Sequence, residues 1–93
     1  MIRNFKSKAL EQLFNGQPKG IEASLRRKVE NILFTLSNAD AVDAIDLPGY
    51  RLHELKGDRK GTWAVRVDNN WRVTFGFEKG SAINVDFEDY HGD

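Results

Sequence analysis

The sequence predicts an α+β fold in which two helices cover one face of an antiparallel β-meander. Three observations predict it. Ile21, Leu25, Val29, Ile32, Leu33 and Leu36 form one apolar stripe at helical spacing. From Tyr50 onward the apolar period changes to two, the spacing of half-buried strands. The alternating runs are separated by turn signals at Pro48-Gly49, Asp68-Asn69-Asn70 and Lys79-Gly80.

The chain of 93 residues is expected to form a single domain spanning 1–93, with a modest core. It holds no cysteine, which excludes disulfides and thiolate metal sites. No apolar run approaches the roughly 20 residues of a membrane span, and the opening Met1-Ile2-Arg3-Asn4-Phe5-Lys6 lacks the apolar core of a signal peptide. The expected location is the cytoplasm, with no membrane partner. Formal net charge is zero but unevenly spread: +4 over residues 1–38, −3 over 39–47, +3 over 48–79 and −4 over 80–93. The overall balance argues against a general polyanion binder, while the basic clusters argue for a local one.

Taken in order, residues 2–5 read as a short first strand. Ser7 can cap a helix with Leu10, Leu13 and Phe14 on its apolar side, ended by Gly16 and Pro18. The second helix, roughly 17 residues by its stripe, places Arg26, Arg27 and Glu30 on or beside the wet face. Residues 38–48 form an acidic connection with room for one helical turn. In the first strand of the meander Tyr50 and Leu52 point one way, Arg51 and His53 the other. Residues 56–61 are a flexible basic loop. Trp63, Val65 and Val67 alternate with Ala64 and Arg66, and Asp68-Asn69-Asn70 turns the chain because Asn tolerates positive φ. On the return strand Trp71, Val73, Phe75 and Phe77 share the apolar face. Ile83, Val85 and Phe87 share it on the last strand. Both tryptophans are expected in the core. The opposite, wet face carries Arg51, His53, Arg66, Arg72, Thr74, Asp86, Glu88 and Tyr90.

That face holds the parts for cleaving an RNA phosphodiester without a metal or cofactor. RNA carries its own nucleophile, the 2′-hydroxyl. A base takes its proton, an acid protonates the leaving 5′-oxygen, and cations stabilise the phosphorane. Histidine suits the first two roles, since its ordinary pKa is about 6.5. Arg72 and Lys56 suit the third. Taken singly, each part also fits a plain role: His53 a surface histidine, Lys56 and Arg59 a solvated turn, Tyr90-His91 an ordinary tail. Two histidines and Asp89 lack the tight spacing of a metal site. Phosphate-binding glycine loops, nucleophile elbows and dinucleotide fingerprints are absent.

Three motifs carry a family resemblance that runs nearly end to end: Leu52-His53-Glu54-Leu55-Lys56-Gly57-Asp58-Arg59-Lys60-Gly61-Thr62-Trp63, Asn70-Trp71-Arg72-Val73-Thr74-Phe75 and Glu88-Asp89-Tyr90-His91. In order and spacing the chain resembles the HigB-type toxins, the plasmid maintenance killer branch of the RelE/ParE superfamily. The resemblance implies a RelE-like fold, two N-terminal helices on a curved, mostly antiparallel sheet. It implies an mRNA interferase acting on message in the ribosomal A site. It also implies a helix-turn-helix, HigA-like antitoxin through which alone the toxin meets operator DNA. Carried over by position, His53, Asp89, Tyr90 and His91 are the catalytic group, and Lys56 and Arg72 are phosphate-facing cations. Arg59 and Arg66 complete the expected RNA-binding set. Strand parity places His53, Arg72 and Tyr90 on one face and Asp89 and His91 on the other, so the last strand is expected to end or bulge near Asp89. The chain departs from many ribosome-dependent toxins in its neutral charge. That departure motivates an alternative: a weakly active or non-catalytic module acting through antitoxin binding and operon autoregulation. A gyrase poison is a third reading, against which the histidine-rich end resembles the nuclease branch.

Overall fold

The computed structural model describes residues 1–90. Helix α1 spans Lys8–Phe14, opened by Ser7, whose Oγ accepts the Leu10 N–H at 3.1 Å. It is closed at Gly16, whose φ of +90° costs a glycine little. Phe14 stands half out of the core, 43% exposed, with its ring against Phe5. Helix α2 spans Ala23–Asn38 and buries Val29, Ile32, Leu33 and Leu36. Ile21 is buried too but precedes the helix, so the stripe begins two residues before the hydrogen-bonded spiral does. Arg26 is partly buried, and its Nε donates to the Ile21 carbonyl at 2.8 Å. That side chain fixes the helix start and is no freely solvated charge. In the acidic connection a 3₁₀ turn at Val42–Ile45 drops Ile45 into the core.

Four antiparallel strands in sequential order form the sheet: β1 His53–Glu54, β2 Thr62–Arg66, β3 Trp71–Glu78 and β4 Ser81–Asp89. The expected first strand is reduced to two parallel bridges, Ile2 to Ala82 and Phe5 to Val85, that cover the free edge of β4. The sheet is thus mostly antiparallel with one parallel border. The α+β architecture, two helices against this sheet, is the one the sequence predicts. Its core side holds Val65, Val73, Phe75 and Val85, all fully buried against residues of both helices. Trp63 and Trp71 are half-buried at the core margin, Trp71 stacked on Phe87 with ring centroids 4.6 Å apart. Among the described residues no helix is long and apolar enough to cross a membrane.

Three local expectations are corrected. The first strand of the meander begins at His53 and not at Tyr50, because Arg51 adopts a φ of +51° and interrupts the alternation. Tyr50 is buried beside α2, with its carbonyl accepting the Arg66 N–H at 2.7 Å and its hydroxyl 3.4 Å from Thr35 Oγ1. The turn at residues 68–70 does not use positive φ at either asparagine. Instead Asp68 Oδ1 accepts both the Asn70 and Trp71 N–H groups at 2.8 Å. Finally, Ile83 does not share a face with Val85 and Phe87. Thr74 pairs with Asp86 but Gly76 pairs with Ile83, so β4 carries an extra residue at this point. Asn84, with φ +52°, makes the bulge, and Asn4 clamps it through reciprocal hydrogen bonds at 2.8 and 3.1 Å. The bulge reverses parity, placing Ala82 in the core and Ile83 on the polar side.

Candidate active site

The polar face is built by register. His53 lies opposite Ala64, which lies opposite Thr74, which lies opposite Asp86; Arg66 lies opposite Arg72, which lies opposite Glu88. This face is not uniformly wet. Arg72 is 2% exposed and Thr74 1%. A buried guanidinium requires a counter-charge, and Glu88 supplies it from the facing position. Arg72 Nη2 donates to Glu88 Oε1 at 3.1 Å, and Thr74 Oγ1 donates to Oε2 at 2.7 Å. Arg59 reaches the same carboxylate from the loop after β1, with Nη1 on Oε1 at 2.9 Å and Nη2 on Oε2 at 2.6 Å. The Arg59 hydrogen bonds, with those from Thr74 and Arg72, outweigh burial and hold the Glu88 pKa down to about 2. The same bond raises the pKa of Arg59. Glu88 is therefore a fixed anion and a poor proton carrier. The loop expected to be flexible folds as a 3₁₀ turn at Gly57–Arg59, pinned to the sheet by this fork.

Beside this cluster lies a cleft of about 730 Å³ whose walls include Arg51, His53, Arg66, Asp68, Asn69 and Tyr90. His53 is exposed, and its Nδ1 lies 2.8 Å from the Arg51 carbonyl oxygen. A carbonyl only accepts, so this bond puts the proton on Nδ1 and leaves Nε2 as the basic nitrogen. The left-handed turn at Arg51 that shortens β1 is what brings that carbonyl to the ring. Arg66 is held by the Asp68 carbonyl at 3.2 Å and by Asn69 Oδ1. Tyr90 is anchored by its N–H on the Asn70 carbonyl at 2.7 Å, and the Arg72 guanidinium sits 5.4 Å from its ring centroid.

The fold thus brings His53, Arg66 and Tyr90 to one cleft, with Arg72 against Tyr90. Asp89 ends β4, as expected, and pairs with Trp71 on the other face, outside the cleft walls. Lys56 is exposed at the start of the 3₁₀ turn and lines no part of this cleft. His91 lies outside the described residues. Sequence reasoning placed Glu88 and Thr74 on this face but gave neither a role in the site. The signal for Glu88 was present: once the hairpin register is set, an acid and a base fall opposite one another at 88 and 72.

The chain is similar to known proteins in both sequence and fold. Residues 3–91 match the family model described as the RelE-like toxin of the type II toxin-antitoxin system HigB. The "Endoribonuclease HigB" of Proteus vulgaris is 39% identical over 92 residues, covering 98% of this chain and all of that protein. "Toxin HigB-1" of Vibrio cholerae serotype O1 is 34% identical over 92 residues, covering 91% of this chain and 93% of that protein. Among solved structures, a point mutant of YafQ from E. coli superposes with a TM-score of 0.62 at 18% identity, covering 95% of this chain and 93% of that one. YafQ from E. coli strain BL21(DE3) gives 0.57 at 14% identity, covering 94% and 90%. These two likenesses establish the RelE-like fold. The family match and the two full-length relatives establish more: this chain belongs to the HigB-like toxins of type II toxin-antitoxin systems.

Proposed function

We propose that this toxin is an endoribonuclease that cleaves messenger RNA in the ribosomal A site, in the cytoplasm, and so arrests translation. The observation that carries the reading is the shared cleft of His53, Arg66 and Tyr90, with Arg72 behind the tyrosine ring. The name and full-length similarity of the Proteus vulgaris endoribonuclease support it. The chemistry is transesterification. A general base, His53 through Nε2 or His91, takes the proton of the 2′-hydroxyl. The 2′-oxygen bonds to phosphorus as the bond to the 5′-oxygen breaks. The other histidine or Tyr90 gives that leaving oxygen a proton. The products are a 2′,3′-cyclic phosphate and a free 5′-hydroxyl. Arg72, behind the Tyr90 ring, lends positive charge to the phosphorane, and Arg59 and Arg66 hold the strand. Asp89 and Lys56, expected to orient a histidine and to face the phosphate, lie outside the cleft walls.

A helix-turn-helix antitoxin neutralises the toxin, and the pair represses its own operon through the antitoxin's contact with operator DNA. The test of the chemistry is a message with one 2′-deoxynucleotide at the mapped cut. Cleavage there should stop while neighbouring sites remain, and recovered ends should carry a cyclic phosphate. Persistent cutting at the deoxy position would overturn the mechanism.

One observation favours the second reading, a non-catalytic module. Arg59 and Arg72 both donate to Glu88, so two of the expected RNA-binding cations already hold a carboxylate. Operator repression by the complex together with intact message on translating ribosomes would establish that reading.

A further inference from the structure

We propose that Glu88 is a positioning residue of this site, setting the Arg72 guanidinium against the sheet and docking the loop of residues 56–61 through Arg59. The inference rests on the endonuclease reading for its effect on cleavage, but not for its effect on the loop.

The geometry leads there directly. Glu88 receives four donors on two oxygens, from two arginines and one threonine. Each oxygen takes one Arg59 nitrogen; Arg72 completes Oε1 and Thr74 completes Oε2. Such a carboxylate has spent its accepting capacity and holds its partners at fixed angles. Arg72 and Thr74 sit on β3, so their backbones cannot shift without the sheet and only their side chains are free to turn. Arg59 sits 29 residues away in sequence, on a segment with no strand pairing of its own. Glu88 therefore acts differently on the two arginines. It selects one orientation of Arg72, the one that meets the Tyr90 ring at 5.4 Å. It holds Arg59, and with it Lys60, over the polar face of the sheet. A second cleft of about 370 Å³ lies beneath this loop, with Lys6, Arg59, Lys60, Thr74 and Glu88 in its walls. Undocking the loop would open that cleft and scatter its cations.

Two consequences separate this role from plain stability. Losing the carboxylate disturbs Arg72 and lowers the rate at saturating toxin. Losing Arg59 alone undocks the loop and weakens the hold on RNA more than it slows the step. The test is single-turnover cleavage on programmed ribosomes over a range of toxin concentrations, with melting curves, for Glu88→Ala, Glu88→Gln, Thr74→Val and Arg59→Ala. Glu88→Ala should lower the saturating rate at least 30-fold, and Glu88→Gln less. Arg59→Ala should raise the half-saturating concentration several-fold more than it lowers the rate. Thr74→Val, nearly isosteric, keeps the test alive if Glu88→Ala does not fold, and should slow the step a few-fold. Amide exchange at Arg59 and Lys60 provides the arm that needs no activity: Glu88→Gln should speed it at least tenfold. Unchanged exchange in Glu88→Gln overturns the docking role. Unchanged saturating rates in folded Glu88→Ala or Thr74→Val overturn the Arg72 role. Wild-type protein that cuts nothing refutes the endonuclease reading instead, and the exchange result then decides the docking role by itself.

Discussion

Arg72 and Glu88 face each other across β3 and β4, the arginine Nη2 donating to Oε1 at 3.1 Å. One partner is almost fully buried and the other is 20% exposed. The pair puts a charge-assisted hydrogen bond at the polar centre of this sheet face, where a buried arginine needs compensation.

The Glu88 carboxylate makes stability depend on acid, chiefly through its hydrogen bonds from Arg59 and then from Thr74 and Arg72. The folded pKa of Glu88 is about 2 against an ordinary 4.5. A depressed carboxylate stabilises the fold at pH above its unfolded value, and that stabilisation fades as pH falls from about 4.5 to about 2. Its ceiling is about 3 kcal/mol, reduced by solvent because the Arg59 partner is 42% exposed. Urea melts at pH 7, 4 and 3 should show wild-type protein losing stability through this window and Glu88→Gln losing less. Equal losses in the two proteins would contradict the Glu88 linkage.

His53 gives a cleaner separation of activity from folding. It is exposed, and its described hydrogen bond is to the Arg51 carbonyl beside it. His53→Ala should reduce single-turnover cleavage on the order of 10²–10⁴-fold if the ring is the acid or base. Stability should stay within about 0.5 kcal/mol of wild type. A variant that cuts within twofold of wild type would move the acid–base work to Tyr90 and His91.

The core prediction concerns α2. Leu33 is 1% exposed and part of the main apolar cluster. Leu33→Ala should cost about 2–5 kcal/mol, a large part of the 5–15 kcal/mol typical of such domains. Chemical denaturation showing a loss below about 1 kcal/mol would contradict the packing of that helix face.

Asp68 supports the cleft from its rim. Its carboxylate closes the β2–β3 turn with two backbone bonds at 2.8 Å. Asp68→Ala should cost about 1–3 kcal/mol. Because Arg66 is held by the same turn, the variant should also bind RNA more weakly than its stability loss accounts for. Unaltered RNA affinity would separate the turn from the site.

Much of the fold was legible in the chain, and the exceptions have physical causes. Ser7 and the α2 stripe could be read directly, because capping and helical period are local. The sidedness of β3 could be read the same way. Ile83 could not: alternation looks the same on either side of a bulge, and only the left-handed Asn84 reveals the slip. Arg51 broke its strand by the same kind of local φ that alternation does not encode. Placing His53, Arg72 and Tyr90 on one face needed only parity, which held because β3 and the end of β4 are regular. The burial of Arg72 and Thr74 was hidden, since hydropathy marks both as solvent-facing. Arg59 was expected at the site, but its pairing with Glu88 was hidden for a different reason: the two are 29 residues apart and only the folded loop brings them together.

The most direct test of the central claim is primer extension on a message translated in vitro, with wild-type toxin and with Arg72→Ala. Wild-type protein should produce cuts within codons that require ribosomes, and the variant should produce few or none. Folded wild-type toxin that leaves the translated message whole, or cuts that persist unchanged in Arg72→Ala, would contradict the account.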